Sequence, residues 1–146
     1  MHGGKNVKFK QFQFLKNEAI KKLTALEEEP LRLRKRTIEE CLSADAVMLA
    51  YIGDAVYSMY VRERVVQMNI TKVQILHTIV TEFICAKSQA KVLLEIENTF
   101  TEDEQAIARR ARNSNVNVPK SSTVQEYRSS TAFEAVLGFL YETRQE

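Results

Sequence analysis

VMLAYIGDAVYSMYV, residues 47–61, is the stretch that decides the fold. Its apolar side chains do not alternate as a half-buried strand requires, and they surround the full circumference of a helix. A central, buried helix is expected. Ser43 and Asp45 precede it, and either can supply the N-cap oxygen. The helix should run on through residues 62–66, with Asn69 marking its exit.

One ionisable acid or base, Asp54, stands in the middle of this run. The run 131–140, TAFEAVLGFL, holds one as well, Glu134. An unpaired charge costs on the order of several kcal/mol to bury, so such acids persist where something compensates them. Each also has a nearby glycine, Gly53 or Gly138. Glycine costs a helix interior about 1 kcal/mol against alanine and allows another backbone to approach closely. Each acid alone is read as an ion pair with an arginine or as the cap of a neighbouring helix. Two matched cases point instead to a shared cation. Carboxylates without a His/Cys cluster suit a hard, oxygen-seeking ion, with magnesium the default. Removing an isolated buried charge by Asp54→Asn should then stabilise the metal-free protein.

Outward from these two runs, the rest of the chain reads as helix. Phe12, Leu15, Ala19, Ile20, Leu23 and Leu26 give residues 9–27 a helical period, closed by Pro30. Residues 31–41 suit a further short helix. Thr71 with Gln74, and Thr101 with Glu104, form capping-box patterns. The first should open a helix leading into a helical stretch at 83–97, and the second a helix to about Arg112. NSNVNVPKSST, residues 113–123, is the clear loop. The final helix is expected from about Ser130. The fold class is all-α, with six or seven helices and no strand. Residues 1–42 form an N-terminal helical extension and 43–146 the functional domain.

Composition agrees. The 146 residues are 45% hydrophobic and 27% charged, a globular profile, and Gly and Pro number four and two, too few for the turns of an all-β domain. The net charge of +2 names no partner. Between residues 105 and 130, however, Arg109, Arg110, Arg112, Lys120 and Arg128 face a single acid, Glu126. Cys41 and Cys85 lack CxxC spacing and read as free, buried thiols in a reducing compartment. The opening MHGGKNVKFKQFQF lacks the apolar run of a secretory signal, and no stretch approaches the roughly 20 apolar residues of a membrane span.

At YIGDAVYSMYVRERV, residues 51–65, the sequence resembles the ribonuclease III signature, which reads like LEFLGDAVL followed by apolar residues. STAFEAVLGFLY, residues 130–141, resembles the family's second acidic helix. AKSQAKVL at 86–93, TEDEQAIARRARNSN at 101–115 and VPKSSTVQEYRSSTAFEA at 118–135 resemble the Mini-ribonuclease III branch. The resemblance spans about residues 44–142. It implies an all-helical homodimeric endonuclease, magnesium-dependent, that cuts double-stranded RNA. Asp54 and Glu134 match the family's metal-binding aspartate and glutamate. Two further acids of the larger enzymes fall on Ala50 and Thr131, so two carboxylates per subunit are left to hold the ion.

The resemblance also implies a substrate, the duplex stems of precursor large-subunit ribosomal RNA. It implies a cytoplasmic location and leaves room for a ribosomal protein as accessory. The chain reaches Glu146 with no double-stranded-RNA-binding domain, so the catalytic dimer is expected to grip RNA itself. Duplex RNA is read by shape, phosphate and 2′-hydroxyl contacts. Arg109, Arg110, Arg112, Lys120 and Arg128 are the expected phosphate contacts, with Asn113, Asn115, Ser121, Ser122 and Thr123 on sugars. Lys87, Ser88 and Gln89 form a second, weaker patch. Tyr127 either packs beside the active site or is simply buried. His2 and His77 have no expected catalytic part. Two other readings stand beside this one: a catalytically silent ribonuclease III-like domain that binds structured RNA, and a helical protein-interaction domain.

Overall fold

The computed structural model describes residues 3–24, 33–114 and 117–144. Leu26, Pro30, Asn115 and His2 lie outside the described residues. The chain divides into two units, 1–34 and 35–146. The first contains α1 (Gly3–Thr24), whose last turn carries Lys21 and Lys22, where the helix dipole favours cations. Phe9, Phe12, Phe14 and Leu23 of α1 are exposed.

The second unit holds six helices, α2 (Ile38–Ser43), α3 (Ala46–Val66), α4 (Val73–Ile84), α5 (Ala86–Ile96), α6 (Glu102–Arg112) and α7 (Val124–Glu142). A single 3-10 turn spans Glu97–Thr99, and no strand occurs among the described residues. The all-α expectation holds. α2 belongs to this unit rather than to the extension. Its capping box, Thr37 with Glu40, starts it six residues into the segment expected as helix. The Arg36 N–H donates to the Glu142 carbonyl at 2.8 Å, and the Arg36 Nε pairs with Glu142 at 3.2 Å. The start of the unit is thereby fastened to the end of α7.

α3 and α7 form the central pair, and α5 and α6 pack on α7. Leu49, Leu93, Ile107 and Phe139 are almost wholly buried where these helices meet. Each contributes about 1.5–3 kcal/mol by leaving water. The Asp45 side chain caps α3 by accepting from the Val47 N–H at 2.9 Å. α3 ends at Val66, as expected, and Asn69 takes φ 56° in the turn that follows.

Four expectations change. α3 is buried on one face only: Ala46, Leu49, Ala50, Gly53, Val61 and Val65 are inside, while Tyr51 is 83% exposed and Met48, Met59 and Tyr60 are exposed with it. One chain lacks the neighbours to cover a helix apolar all round. The Thr71–Gln74 box does not form, and Lys72 is the residue before α4, without a side-chain cap. Cys85 is extended and separates α4 from α5, and its thiol is only partly buried, unlike that of Cys41. Finally, α7 begins at Val124 rather than Ser130, with the Thr123 hydroxyl accepting from the Glu126 N–H at 3.0 Å.

Candidate active site

The site lies where α3 crosses α7. A Cβ built on Gly53 would sit 1.7 Å from the Glu134 carbonyl oxygen, and one on Gly138 would sit 1.8 Å from that of Leu49. The two glycines therefore let the backbones touch at two points about one helical turn apart along α7. The residue after Gly53 is Asp54, and the carbonyl it meets is that of Glu134, so this contact brings the two acids to one place. Beside them, Tyr57 packs edge-on against Phe133, with ring centroids 4.9 Å apart.

The two carboxylates differ. Asp54 is exposed and Glu134 is half-buried. Burial, and then the charge of Asp54, push the Glu134 carboxyl up to about 7, while the approach of Gln89 works in the opposite sense. Gln89 is buried on α5, and neither its Nε2 nor its Oε1 completes a hydrogen bond. Among the described residues neither acid forms an ion pair, so the arginine-pairing alternative finds no partner. Nor does either carboxylate cap a helix. Two mutually repelling carboxylates with an unsatisfied amide beside them are the chemistry a hard divalent cation satisfies: it cancels the repulsion and accepts oxygen donors. The residues fit such an ion. No group of three or more His, Cys, Asp or Glu side chains occurs among the described residues, so each chain offers two acids.

The basic residues differ in burial and in partners. Arg110 is half-buried, and its Nη2 donates to the Cys41 carbonyl at 3.1 Å, tying α6 to α2. Arg112 pairs with Glu97 at 2.6 Å. Lys87, Arg109, Asn113, Lys120, Ser121 and Arg128 are exposed. Of the weaker patch, only Lys87 faces solvent: Gln89 is interior, and the half-buried Ser88 hydroxyl donates to the Glu82 carbonyl across the α4–α5 break. Ser122 and Tyr127 are half-buried, and Thr123 caps α7. His77 is exposed on α4.

Residues 47–145 match the Ribonuclease III domain. The chain belongs to the ribonuclease III family. It is 43% identical over 106 residues to the Mini-ribonuclease 3 of Thermoanaerobacter sp. (strain X514), covering 72% of this chain and 75% of that protein. Identity to the Mini-ribonuclease 3 of Streptococcus pneumoniae (strain ATCC BAA-255 / R6) is 42% over 102 residues, or 68% and 80% of the two chains. A crystal structure of a Fusobacterium nucleatum protein superposes with a TM-score of 0.68 at 32% identity, covering 70% of this chain and 84% of that one.

Ala50 and Thr131, where the resemblance places two further acids of the larger enzymes, both lie in the interior. Ala50 is 4% exposed and belongs to the core between α3 and α7. Thr131 is 7% exposed, and its hydroxyl donates to the Tyr127 carbonyl at 2.9 Å. Both positions serve packing here. The sequence reading took Gln89 for surface, although Ala86, Gln89, Ala90 and Leu93 share the spacing of one helix face.

The raised Glu134 carboxyl has a consequence for the metal-free protein. Between pH 4.5 and about 7 the folded chain holds a proton at Glu134 that the unfolded chain has lost. This contribution to stability is therefore complete below pH 4.5 and is lost as pH rises through about 7. In EDTA, Glu134→Gln should remove that fall and exceed the wild type at pH 8 by on the order of 2–3 kcal/mol. Denaturant titrations at pH 5 and pH 8 check this. Equal pH slopes for the two proteins would show that Glu134 is not desolvated.

Proposed function

We propose that this chain is a magnesium-dependent endoribonuclease that cuts double-stranded RNA, with Asp54 and Glu134 as the ligands of its ion. The observation that carries the reading is the pair of unpartnered carboxylates at the Gly53–Glu134 backbone contact. Membership of the ribonuclease III family and the names of the Mini-ribonuclease 3 relatives support the activity. Asp54 and Glu134 would hold a divalent ion, which would supply activation of water and neutralisation of phosphate charge. The chain's own part is positional. Asp54 and Glu134 present oxygens from two helices that cannot slide, because Gly53 and Gly138 lock the crossing. Such rigidity is what orientation of reacting groups requires. Duplex stems of precursor ribosomal RNA, in the cytoplasm, are the proposed substrate, with a ribosomal protein as an optional accessory. Among the described residues no helix is long and apolar enough to cross a membrane.

RNA is held by the exposed cations. Lys87, Arg109, Lys120 and Arg128 meet phosphates, with Asn113 and Ser121 beside them. Arg110 and Arg112 belong chiefly to the fold. Arg109→Ala should weaken binding to unrelated duplexes alike and flatten the plot of log affinity against log salt by roughly one unit. Arg110→Ala should instead lower stability by about 1 kcal/mol, since it removes the side-chain bond that ties α6 to α2 while the Cys41 carbonyl keeps the Ala44 N–H as donor. Filter binding over a salt series and denaturant titration separate the two. An unchanged salt slope for Arg109→Ala would remove Arg109 from the RNA surface.

A homodimer completes the proposal. Met48, Tyr51, Met59 and Tyr60 of α3 and Tyr141 of α7 are exposed. Ile52, Ala55, Val56, Met59, Tyr60, Glu63 and Tyr141 line a hollow of about 400 Å³. A second copy on this face covers the uncovered side of α3 and supplies a second cutting centre for the second RNA strand. Met59→Glu should turn the dimer into a monomer in sedimentation velocity. A wild-type protein that sediments as a monomer at micromolar concentration would refute this part.

A further inference from the structure

Gln89 is a buried amide on α5 with neither polar atom in a complete hydrogen bond. It is 1% exposed, on the face of α5 that carries Ala90 and Leu93, where α5 packs on α7. Its Nε2 and Oε1 both lack a hydrogen-bond partner. The other buried polar side chains of the unit are satisfied: Ser130 and Thr131 donate to the Tyr127 carbonyl and Thr143 to that of Phe139. A buried amide with an open donor and an open acceptor is destabilising, and an unbranched apolar side chain would fill the same space without that cost. Such a group is expected where its polarity serves a function. The group its amide faces is the Glu134 carboxylate, which it approaches closely enough to stabilise the charged form although the geometry of a full hydrogen bond is not met.

We infer that Gln89 is a positioning residue for Glu134: its buried amide on α5 supplies the donor that orients the α7 carboxylate toward a divalent ion. The inference rests on the metal-site reading given above. A carboxylate that ligates an ion with one oxygen leaves the other to be fixed by a neighbour, and such neighbours govern affinity nearly as much as the ligands. A lysine or arginine donor in this place would repel the ion. Glutamine donates while remaining neutral, and its burial between α5 and α7 removes the freedom an exposed side chain would keep.

The test is a magnesium titration of thermal stability with the full chain, on the wild type, Gln89→Met and Asp54→Asn. Gln89→Met keeps length and volume but removes both polar atoms. Without metal it should melt at or above the wild-type temperature. Its half-effect magnesium concentration should rise about tenfold, and duplex cleavage should recover at high magnesium. A merely structural glutamine would shift the metal-free melting point and leave the midpoint unchanged, and that outcome overturns the inference. If Gln89→Met does not fold, Gln89→Asn serves, since it keeps the amide but draws it back by one methylene. A raised midpoint then supports the positioning role, and an unchanged one overturns it. Magnesium that raises the melting point of Asp54→Asn as much as that of the wild type defeats the metal-site reading itself, a result distinct from an unchanged midpoint in the Gln89 variants alone.

Discussion

Asp54→Asn should abolish cleavage of duplex RNA, by about a thousandfold or more, while the helical fold and most of the RNA affinity survive. Asparagine keeps the shape of the side chain and removes the charge proposed to hold a divalent ion. On that proposal the loss follows from removing one of the two acids at the α3–α7 crossing, since ion-based charge stabilisation is worth several kcal/mol and each 1.36 kcal/mol is about tenfold in rate. Asp54 is exposed, so the fold does not depend on it. The gain in metal-free stability that the sequence alone assigns to Asp54→Asn therefore passes to Glu134→Gln, because Glu134 is the acid whose charge is desolvated. Single-turnover cleavage with saturating enzyme separates lost chemistry from lost grip. A variant that still cuts within tenfold of the wild-type rate would show that Asp54 is not a ligand.

Gly138→Ala should unfold or severely destabilise the second unit, by about 3 kcal/mol or more. Two effects oppose each other here. Alanine favours a helix interior over glycine by about 1 kcal/mol. The added methyl, however, would lie 1.8 Å from the Leu49 carbonyl oxygen and 3.0 Å from the Ile52 Cγ2, and the first of these is backbone that cannot turn aside. Overpacking of flexible cores costs about 1–3 kcal/mol; relief here requires α3 and α7 to part along their length. The clash wins. Gly53→Ala meets the Glu134 carbonyl at 1.7 Å and should lose activity along with stability, since it displaces the backbone that carries an acid. Denaturant midpoints of the two variants check this, and a Gly138→Ala protein as stable as the wild type would mean that the helices do not cross where described.

How far these features were legible in the sequence depended on whether their cause was local. Asp45 and Thr101 cap helices as their patterns indicate, because a hydroxyl or carboxylate before an apolar run needs nothing distant to do so. The glycine contacts were legible for a related reason: glycine inside a helix has few purposes other than close approach. Thr123 with Glu126 carries the same signal as Thr101 with Glu104, yet the stretch that follows is polar, so the helix was expected only from about Ser130, and α7 starts earlier than its apolar residues. Thr71 with Gln74 is the converse, a pattern without a cap. The break at Cys85 has neither glycine nor proline to announce it, and the Ser88 hydroxyl that spans it acts only once the chain has turned. The exposed face of α3 was legible in part, since a helix apolar all round has more such faces than one small core requires, but composition does not say which face is left uncovered. Gln89 was misplaced by reading its neighbours Lys87 and Ser88 instead of its helical register.

The most direct test of the central claim is incubation of the purified chain with a duplex RNA, in magnesium and in EDTA, with the matching single strand alongside. The expected result is endonucleolytic cutting of the duplex in magnesium, none in EDTA, and restoration when magnesium is returned in excess. Cleavage that persists in EDTA, or a duplex that stays intact in magnesium while bound to the protein, would contradict it.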